Sequence, residues 1–203
     1  MRRSLVLALI SLTLPMAAWA NGIDLFNKFG TITISNAGIL SKGSQLNQVN
    51  GLNTGHSLGS ISFGTGALLS GSIQAGGTFS SVGSFFNVVG VGPAKGTIFS
   101  GAFVGPITWT LVSQSGPTLI FQLSGALSGM MSNGHMTTGT TTQLFKTTTA
   151  QLAKGIVHIT SGDTHLTAAP EPGTLAMFGL GLLGIEGRAK RGLMAGIWRT
   201  TKV

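Results

Sequence analysis

The chain has 203 residues, of which 8% are charged and 32 are glycine, and it contains no cysteine. Disulfides, thiolate metal sites and a cysteine nucleophile are therefore excluded. The formal net charge of +8 is concentrated at the two ends, and residues 21–168 hold five scattered lysines and two aspartates, which form no basic stripe for nucleic acid.

The first twenty residues are arranged like a secretory signal peptide. Two arginines precede an apolar stretch from Ser4 to Met16, and the small residues Ala18 and Ala20 flank Trp19 as in a cleavage site. The stretch is shorter than the roughly 20 apolar residues of a membrane span, and Pro15 interrupts it, so a retained membrane anchor is the weaker alternative. We predict cleavage after Ala20 and export of the remainder.

Residues 21–168 are predicted to be β throughout. Apolar and polar residues alternate with the period of a half-buried strand in Thr31–Ile34, Ser60–Phe63, Ile107–Leu111 and Leu119–Leu123. Turn residues occur at Asn50-Gly51, Gly76-Gly77, Gly92-Pro93, Gly116-Pro117 and Asn133-Gly134. Many short strands separated by turns predict an antiparallel β-sandwich or jelly roll, and the abundance of Gly, Ser and Thr leaves a parallel β-solenoid as the alternative.

A Gly-x-Ser-x-Gly match occurs at residues 55–59, with Ser57 at its centre. It resembles the nucleophile elbow of α/β-hydrolases, in which a strand turns sharply into a helix and presents the serine beside backbone donors. Here polar, turn-prone residues precede the motif, and the segment after it is typical of a strand. Asp163 and His165 follow in the hydrolase order, but they lie on one short segment. We therefore expect no catalytic residue, and a secreted hydrolase using Ser57 is the alternative.

Residues 136–150 contain eight threonines. Because β-branched side chains favour strands, we expect an exposed edge strand or hairpin here. A glycan-binding or O-glycosylated surface is the alternative, since hydroxyl groups hydrogen-bond sugars. Carbohydrate-binding surfaces usually add several aromatic rings, yet the chain has no tyrosine and Trp109 is the only tryptophan between residues 21 and 168.

The segment His158–His165 contains two histidines and Asp163. A hairpin through Ser161-Gly162 would bring these three side chains together as metal ligands, with His135 as a further ligand. Histidines beside a turn are more often solvated, so we predict no metal and no cofactor. Glycosidase chemistry is also poorly supported. It canonically needs two carboxylates, and residues 21–168 hold only Asp24 and Asp163, with no glutamate.

Residues 169–191 combine three elements in a fixed order. The tripeptide Pro170, Glu171 and Pro172 is held extended by its prolines. Twelve uncharged, mostly apolar residues follow from Thr174 to Ile185, about 18 Å as a helix and too short for a hydrocarbon layer of about 30 Å. The basic residues Arg188, Lys190 and Arg191 then favour the cytoplasmic side and act as a membrane stop. An ordinary C-terminal core helix is the alternative, but the apolar run has no polar face.

This order resembles the PEP-CTERM sorting signal of Gram-negative bacteria. The resemblance implies recognition and removal by an exosortase, an integral-membrane cysteine transpeptidase of bacteria that export exopolysaccharide. Pro170, Glu171 and Pro172 would then be the sorting tripeptide. Glu186 and the continuation from Gly192 to Val203 depart from the family pattern.

The sequence thus predicts a signal peptide at 1–20, a β domain at 21–168, a sorting signal with a short hydrophobic helix at 169–191, and a basic, apolar tail at 192–203. We expect export through the inner membrane and a non-enzymatic role at the cell surface, in the outer membrane or in the extracellular matrix. The expected partners are exosortase, exopolysaccharide or outer-surface glycans, and transiently the membrane, but no nucleic acid. A surface carbohydrate-binding module is a further alternative.

Overall fold

The alternating segments of the sequence become the wall of a closed sheet. The structure, a computed structural model, describes residues 22–92 and 95–168. Its elements are β1 (Gly22–Ser35), β2 (Gly38–Val49), β3 (Gly59–Gly64), β4 (Leu68–Ser72), β5 (Gly76–Phe79), β6 (Phe85–Gly90), β7 (Gly96–Ser115), β8 (Thr118–Met131), β9 (Met136–Thr148), α1 (Thr149–Ala153) and β10 (Ile156–Ala168). The four segments predicted from alternation lie within β1, β3, β7 and β8, which confirms the prediction of strands.

Eight of these strands close into an antiparallel barrel. They follow one another around the ring in the order β7-β6-β3-β2-β1-β10-β9-β8, and β8 pairs with β7 to complete it. The hairpin β4–β5 extends the wall beside β7. The predicted all-β antiparallel domain is confirmed, whereas the β-sandwich or jelly roll and the parallel β-solenoid are wrong, because the sheet closes on itself instead of forming two layers or parallel coils.

Strand β7 makes closure of the barrel possible because it pairs with three neighbouring strands. Its first part pairs with β6 from Gly96 to Gly101, its second part pairs with β5 from Ile107 to Thr110, and β8 lies along its other side. Between the two parts, Gly105 has a φ of 75° and Pro106 has no N–H to donate. The register with β8 shifts here, so the strand changes direction and the wall curves.

The barrel interior is a packed core in which aromatic side chains form two clusters. Phe86 lies edge-on to Phe99 and Phe103, with ring centroids 6.3 and 5.9 Å apart. In the second cluster, Trp109 stacks on Phe121 at a centroid distance of 4.5 Å. Trp109 is 1% exposed, and its Nε1 donates a 2.9 Å hydrogen bond to the carbonyl of Ile73, which satisfies the polar edge of the indole. The ring is therefore part of the core.

The turn predictions are mostly confirmed. Turns lie at Asn50-Gly51, Gly116-Pro117 and Asn133-Gly134, while Pro93 is outside the described residues. The prediction at Gly76-Gly77 is wrong, because both residues lie within β5 and the turn is at Ile73–Ala75. That turn is stabilised by a 3.0 Å hydrogen bond from the Ala75 N–H to Ser72 Oγ.

The short helix α1 joins β9 to β10 across one end of the barrel. Thr148 is its N-cap, and the Gln151 N–H donates to Thr148 Oγ1 at 3.3 Å while the Thr148 N–H donates to Gln151 Oε1 at 3.2 Å. Leu152 on this helix is buried. In the part of the chain that the structure describes, no helix has the length and apolar character needed to cross a membrane.

Candidate functional sites

The two ends of the described domain lie side by side. Gly22, the first residue of β1, is the register partner of Thr167 near the end of β10. The chain therefore leaves the barrel at Ala168, and one residue separates this strand from the tripeptide that starts at Pro170. The pair β1–β10 thus places the first and last described residues of the domain at one end of the barrel.

The residues predicted for sorting and cleavage lie outside the described residues. They are Ala18 and Ala20 of the signal peptide, the tripeptide Pro170, Glu171 and Pro172, and the basic residues Arg188, Lys190 and Arg191. The short C-terminal hydrophobic helix and the tail at 192–203 also fall there. The roles assigned to these residues therefore remain predictions from the sequence.

Ser57 lies in the loop between β2 and β3, and no helix follows it. Its Oγ donates to the carbonyl of Gly59 at 2.9 Å and accepts from the Gly59 N–H at 3.3 Å. Strand β3 begins at Gly59 and contains the segment Ser60–Phe63 that the sequence predicted as a strand. The hydroxyl thus closes a local turn, and the strand–turn–helix geometry of a nucleophile elbow is not formed.

The histidines of β10 do not form the hairpin considered from the sequence. Residues Ile156–Ala168 form one continuous strand, so Ser161-Gly162 lies within it. His158 and His165 point outward at separate positions, and His165 Nδ1 is 2.5 Å from Asp24 Oδ1 on β1. Within residues 22–92 and 95–168, no three His, Cys, Asp or Glu side chains lie close enough to hold a metal ion.

The threonine-rich tract forms strand β9 in the middle of the wall, so its prediction as an edge strand is wrong, while the alternative of a hairpin is met by the pair β8–β9. Strand β9 pairs with β8 on one side and β10 on the other. Its side chains alternate: Thr137, Thr141 and Thr147 are buried inside the barrel, whereas the other threonines along the strand interior are exposed on the outer wall. The tract therefore contributes threonine side chains both to the barrel interior and to the outer wall.

The exposed threonines belong to a hydroxyl-rich outer wall formed by β8, β9 and β10. Thr138 lies between Ser128 and Thr167, and Thr142 lies between Ser124 and Asp163. We call this surface the hydroxyl wall; its members are Ser124, Ser128, Thr138, Thr140, Thr142 and Thr167. A shallow groove of about 510 Å³ crosses it, with Val104, Ala126 and His165 among its lining residues.

A buried polar cluster inside the barrel was not predicted from sequence. Asn27 Nδ2 donates to Ser44 Oγ at 2.7 Å and to Gln143 Oε1 at 2.9 Å. Gln143 Nε2 donates to Asn27 Oδ1 at 3.2 Å and to Thr141 Oγ1 at 2.9 Å, and Thr141 Oγ1 lies 2.8 Å from Thr164 Oγ1. The sequence held only a weak indication of this cluster. Asn27 follows Leu25 by two residues in β1, so the alternation of the strand places its side chain inward.

The buried cluster is suited to structure and not to catalysis. Its members are neutral amides and hydroxyls that bond one another, and none of them titrates. Such a network inside a low-dielectric core fixes the relative register of the strands that contribute to it, here β1, β2, β9 and β10. Its neutral composition offers no general base that could activate one of its hydroxyls.

At the end of the barrel opposite Gly22 and Ala168, a cleft of about 460 Å³ lies between α1, the β1–β2 turn and the β4–β5 hairpin. Uncharged side chains line it, including Asn36, Ser72, Gln74 and Leu152. Its polar groups could bond a neutral ligand, but the lining provides no acid or base.

Comparison with known proteins gives one match, and it lies at the C-terminal segment. Residues 168–191 match the family model described as the PEP-CTERM protein-sorting motif. No curated protein and no solved structure matches the chain. The matched range contains the predicted tripeptide and basic cluster, so the resemblance inferred from the sequence is confirmed. This chain carries a PEP-CTERM protein-sorting motif, the signal of an exported protein that exosortase sorts to the cell surface or the extracellular space.

Proposed function

We propose that the chain is a non-enzymatic protein of the exopolysaccharide matrix, whose barrel presents the hydroxyl wall to matrix glycans after exosortase has acted. The hydroxyl wall carries this proposal. It places hydroxyl groups on three adjacent strands, with Thr138, Thr140 and Thr142 exposed along its centre. Neutral hydroxyls exchange hydrogen bonds with sugars without the desolvation cost of a charge.

The distribution of charges supports the non-enzymatic part of the proposal. In the described chain the carboxylates are Asp24 and Asp163, and both are exposed on the outer wall. Asp24 is engaged by His165, and neither carboxylate lies in a site that excludes water. A glycosidase needs two carboxylates around an enclosed sugar, with one held protonated by its surroundings.

Processing is tested by intact-mass analysis and fractionation of the protein in its native host. The wild type is expected to lose its N-terminal twenty residues and its C-terminal segment, whereas Glu171→Ala keeps the C-terminal segment because the tripeptide loses its carboxylate. Glu186→Ala is the matched control, since it removes the other glutamate of the chain and leaves the tripeptide intact. Identical processing of Glu171→Ala and the wild type would contradict the role assigned to Glu171.

Glycan binding is tested by co-sedimentation with exopolysaccharide purified from the same host. The triple variant Thr138→Val, Thr140→Val, Thr142→Val keeps β-branching and removes three hydroxyls, so we expect affinity to fall by about tenfold or more. Thr33→Val with Thr97→Val is the control, because both threonines are exposed on other strands of the barrel. Equal binding by the triple variant and the wild type would refute the assignment of the hydroxyl wall.

The competing hydrolase is tested with Ser57→Ala. We expect no ester or glycan hydrolysis in the wild type and no change in the variant, because the Ser57 hydroxyl is committed to a local turn. Hydrolysis by the wild type that is lost in Ser57→Ala would replace the matrix proposal with the enzyme.

A further inference from the structure

One end of the barrel carries both ends of the described domain, Gly22 and Ala168, and three of the connections between strands. The ends of β1 and β10 meet there through the pair Gly22 and Thr167. The β2–β3, β6–β7 and β8–β9 connections lie at the same end, because antiparallel strands alternate in direction around the ring. We call this end the terminal rim.

The terminal rim exposes large apolar side chains. Leu52, Val91, Met130 and Met136 are each between 49% and 56% exposed, and Met130 and Met136 are register partners beside the β8–β9 turn. Lys95 is exposed in the β6–β7 connection. The described residues of the three connections contain no carboxylate, and the nearby Asp24 is engaged by His165 on the outer wall. Apolar side chains beside a cation are suited to an interface between acyl chains and anionic headgroups.

The length of chain beyond β10 limits how far the terminal rim lies from a bilayer. Six residue steps separate Ala168 from Thr174, where the apolar run begins. Six steps span at most about 20 Å when extended. The headgroup layer on each side of a bilayer is roughly 5 to 8 Å thick. If the apolar run enters the hydrocarbon layer, the rim is therefore within about 15 Å of the headgroups.

We propose that the terminal rim is a lipid-contact surface, which rests against a bilayer with anionic headgroups while the sorting segment is still attached. This inference rests on the proposed sorting function, because the short connection holds the rim near the bilayer only if the apolar run enters the membrane. The position of the chain exit, the exposed apolar side chains and the positive charge of Lys95 lie at the same end of the barrel.

The absence of cysteine from the chain allows a direct test with single labels. The full chain is labelled with a fluorophore at Leu52→Cys or Met136→Cys on the rim, at Val82→Cys as control, or at Leu180→Cys in the apolar run. Val82 is 83% exposed in the connection before β6, at the opposite end of the barrel. Each protein is reconstituted into vesicles of phosphatidylcholine and phosphatidylglycerol that contain lipids with a nitroxide near the acyl carbonyl.

We expect the rim labels to be quenched about threefold or more relative to the Val82 label, because a nitroxide at this depth reaches only groups at the interface. Adding Met130→Ser and Met136→Ser to the chain labelled at residue 52 is expected to lower its quenching toward the control. If the rim labels are quenched no more than the Val82 label, or if the two serines change nothing, lipid contact by the rim is overturned.

The Leu180 label, read in matched vesicles whose lipids carry the nitroxide deeper in the acyl chain, separates failure of this inference from failure of the sorting proposal. Strong quenching at residue 180 with weak quenching on the rim overturns the rim surface and leaves sorting intact. Weak quenching at residue 180 and on the rim removes the membrane step of the sorting proposal, and the lipid contact of the rim is overturned with it.

Discussion

At Gly162 the amides of Asn27 and Gln143 occupy the space that any side chain would need. A Cβ atom built at this position meets Gln143 Oε1, Gln143 Cδ and Asn27 Oδ1. These amide groups are buried and bond each other, so moving one of them breaks a hydrogen bond that water cannot replace. The glycine is therefore required by the buried polar cluster.

We expect Gly162→Ala to lower the free energy of unfolding by about 3 kcal/mol, because it combines overpacking with the loss of buried hydrogen bonds. Urea unfolding followed by circular dichroism measures the change. Ser161→Ala is the neighbouring control on the same strand, and its expected effect is within about 0.5 kcal/mol. A Gly162→Ala protein as stable as the control would show that the amide pair relaxes without cost.

Residue patterns predict inward and outward positions well but not the chemistry of the interior. Alternation correctly places Ile32, Ile61 and Phe121 in the core. It does not reveal that Gln143 is buried, because its partner Asn27 is 116 residues away in the chain. The same limit applies to Trp109, whose indole partner Ile73 lies on a distant turn.

Among the elements, α1 depends on its N-cap residue, Thr148, more than on its length. A helix of five residues gains little from its own hydrogen bonds, so its cap and the burial of Leu152 hold it in place. We expect Thr148→Ala to destabilise the protein by about 1 kcal/mol, and Thr148→Ser to retain most of that stability because it keeps the Oγ acceptor. Urea midpoints of the two variants measure the difference, and equal midpoints would show that burial of Leu152 alone fixes the helix.

Strand positions could be predicted from sequence because alternation is a local property. The turn between β4 and β5 could not, because Gly76 and Gly77 resemble a turn but pair with Thr110 and Trp109 of β7. Closure of the sheet escaped prediction for a related reason: alternation within a strand is the same in a sandwich and in a barrel. The sorting motif could be predicted from the sequence alone, since a linear motif does not depend on the fold around it.

At the scale of the whole molecule, the barrel is closed by its first and last strands. Gly22 pairs with Thr167 and Thr33 pairs with Ile156, so the pairing runs along the length of both strands. During export, β10 is the last strand to leave the translocation channel. The barrel therefore cannot close until the chain has emerged as far as Ala168, a few residues before the apolar run begins.

The dependence on β10 can be measured by comparing two truncated chains. Residues 21–168 are expected to unfold in one cooperative thermal transition, because every strand of the ring is present. Residues 21–155 lack β10, which removes the buried side chains Val157, Ile159 and Leu166 and leaves one edge of β1 and one edge of β9 unpaired. Burial of these three side chains contributes about 6 kcal/mol, comparable to the whole stability of a typical domain, so we expect no cooperative transition in the shorter chain. A cooperative transition retained by residues 21–155 would show that the open sheet is stable without closure.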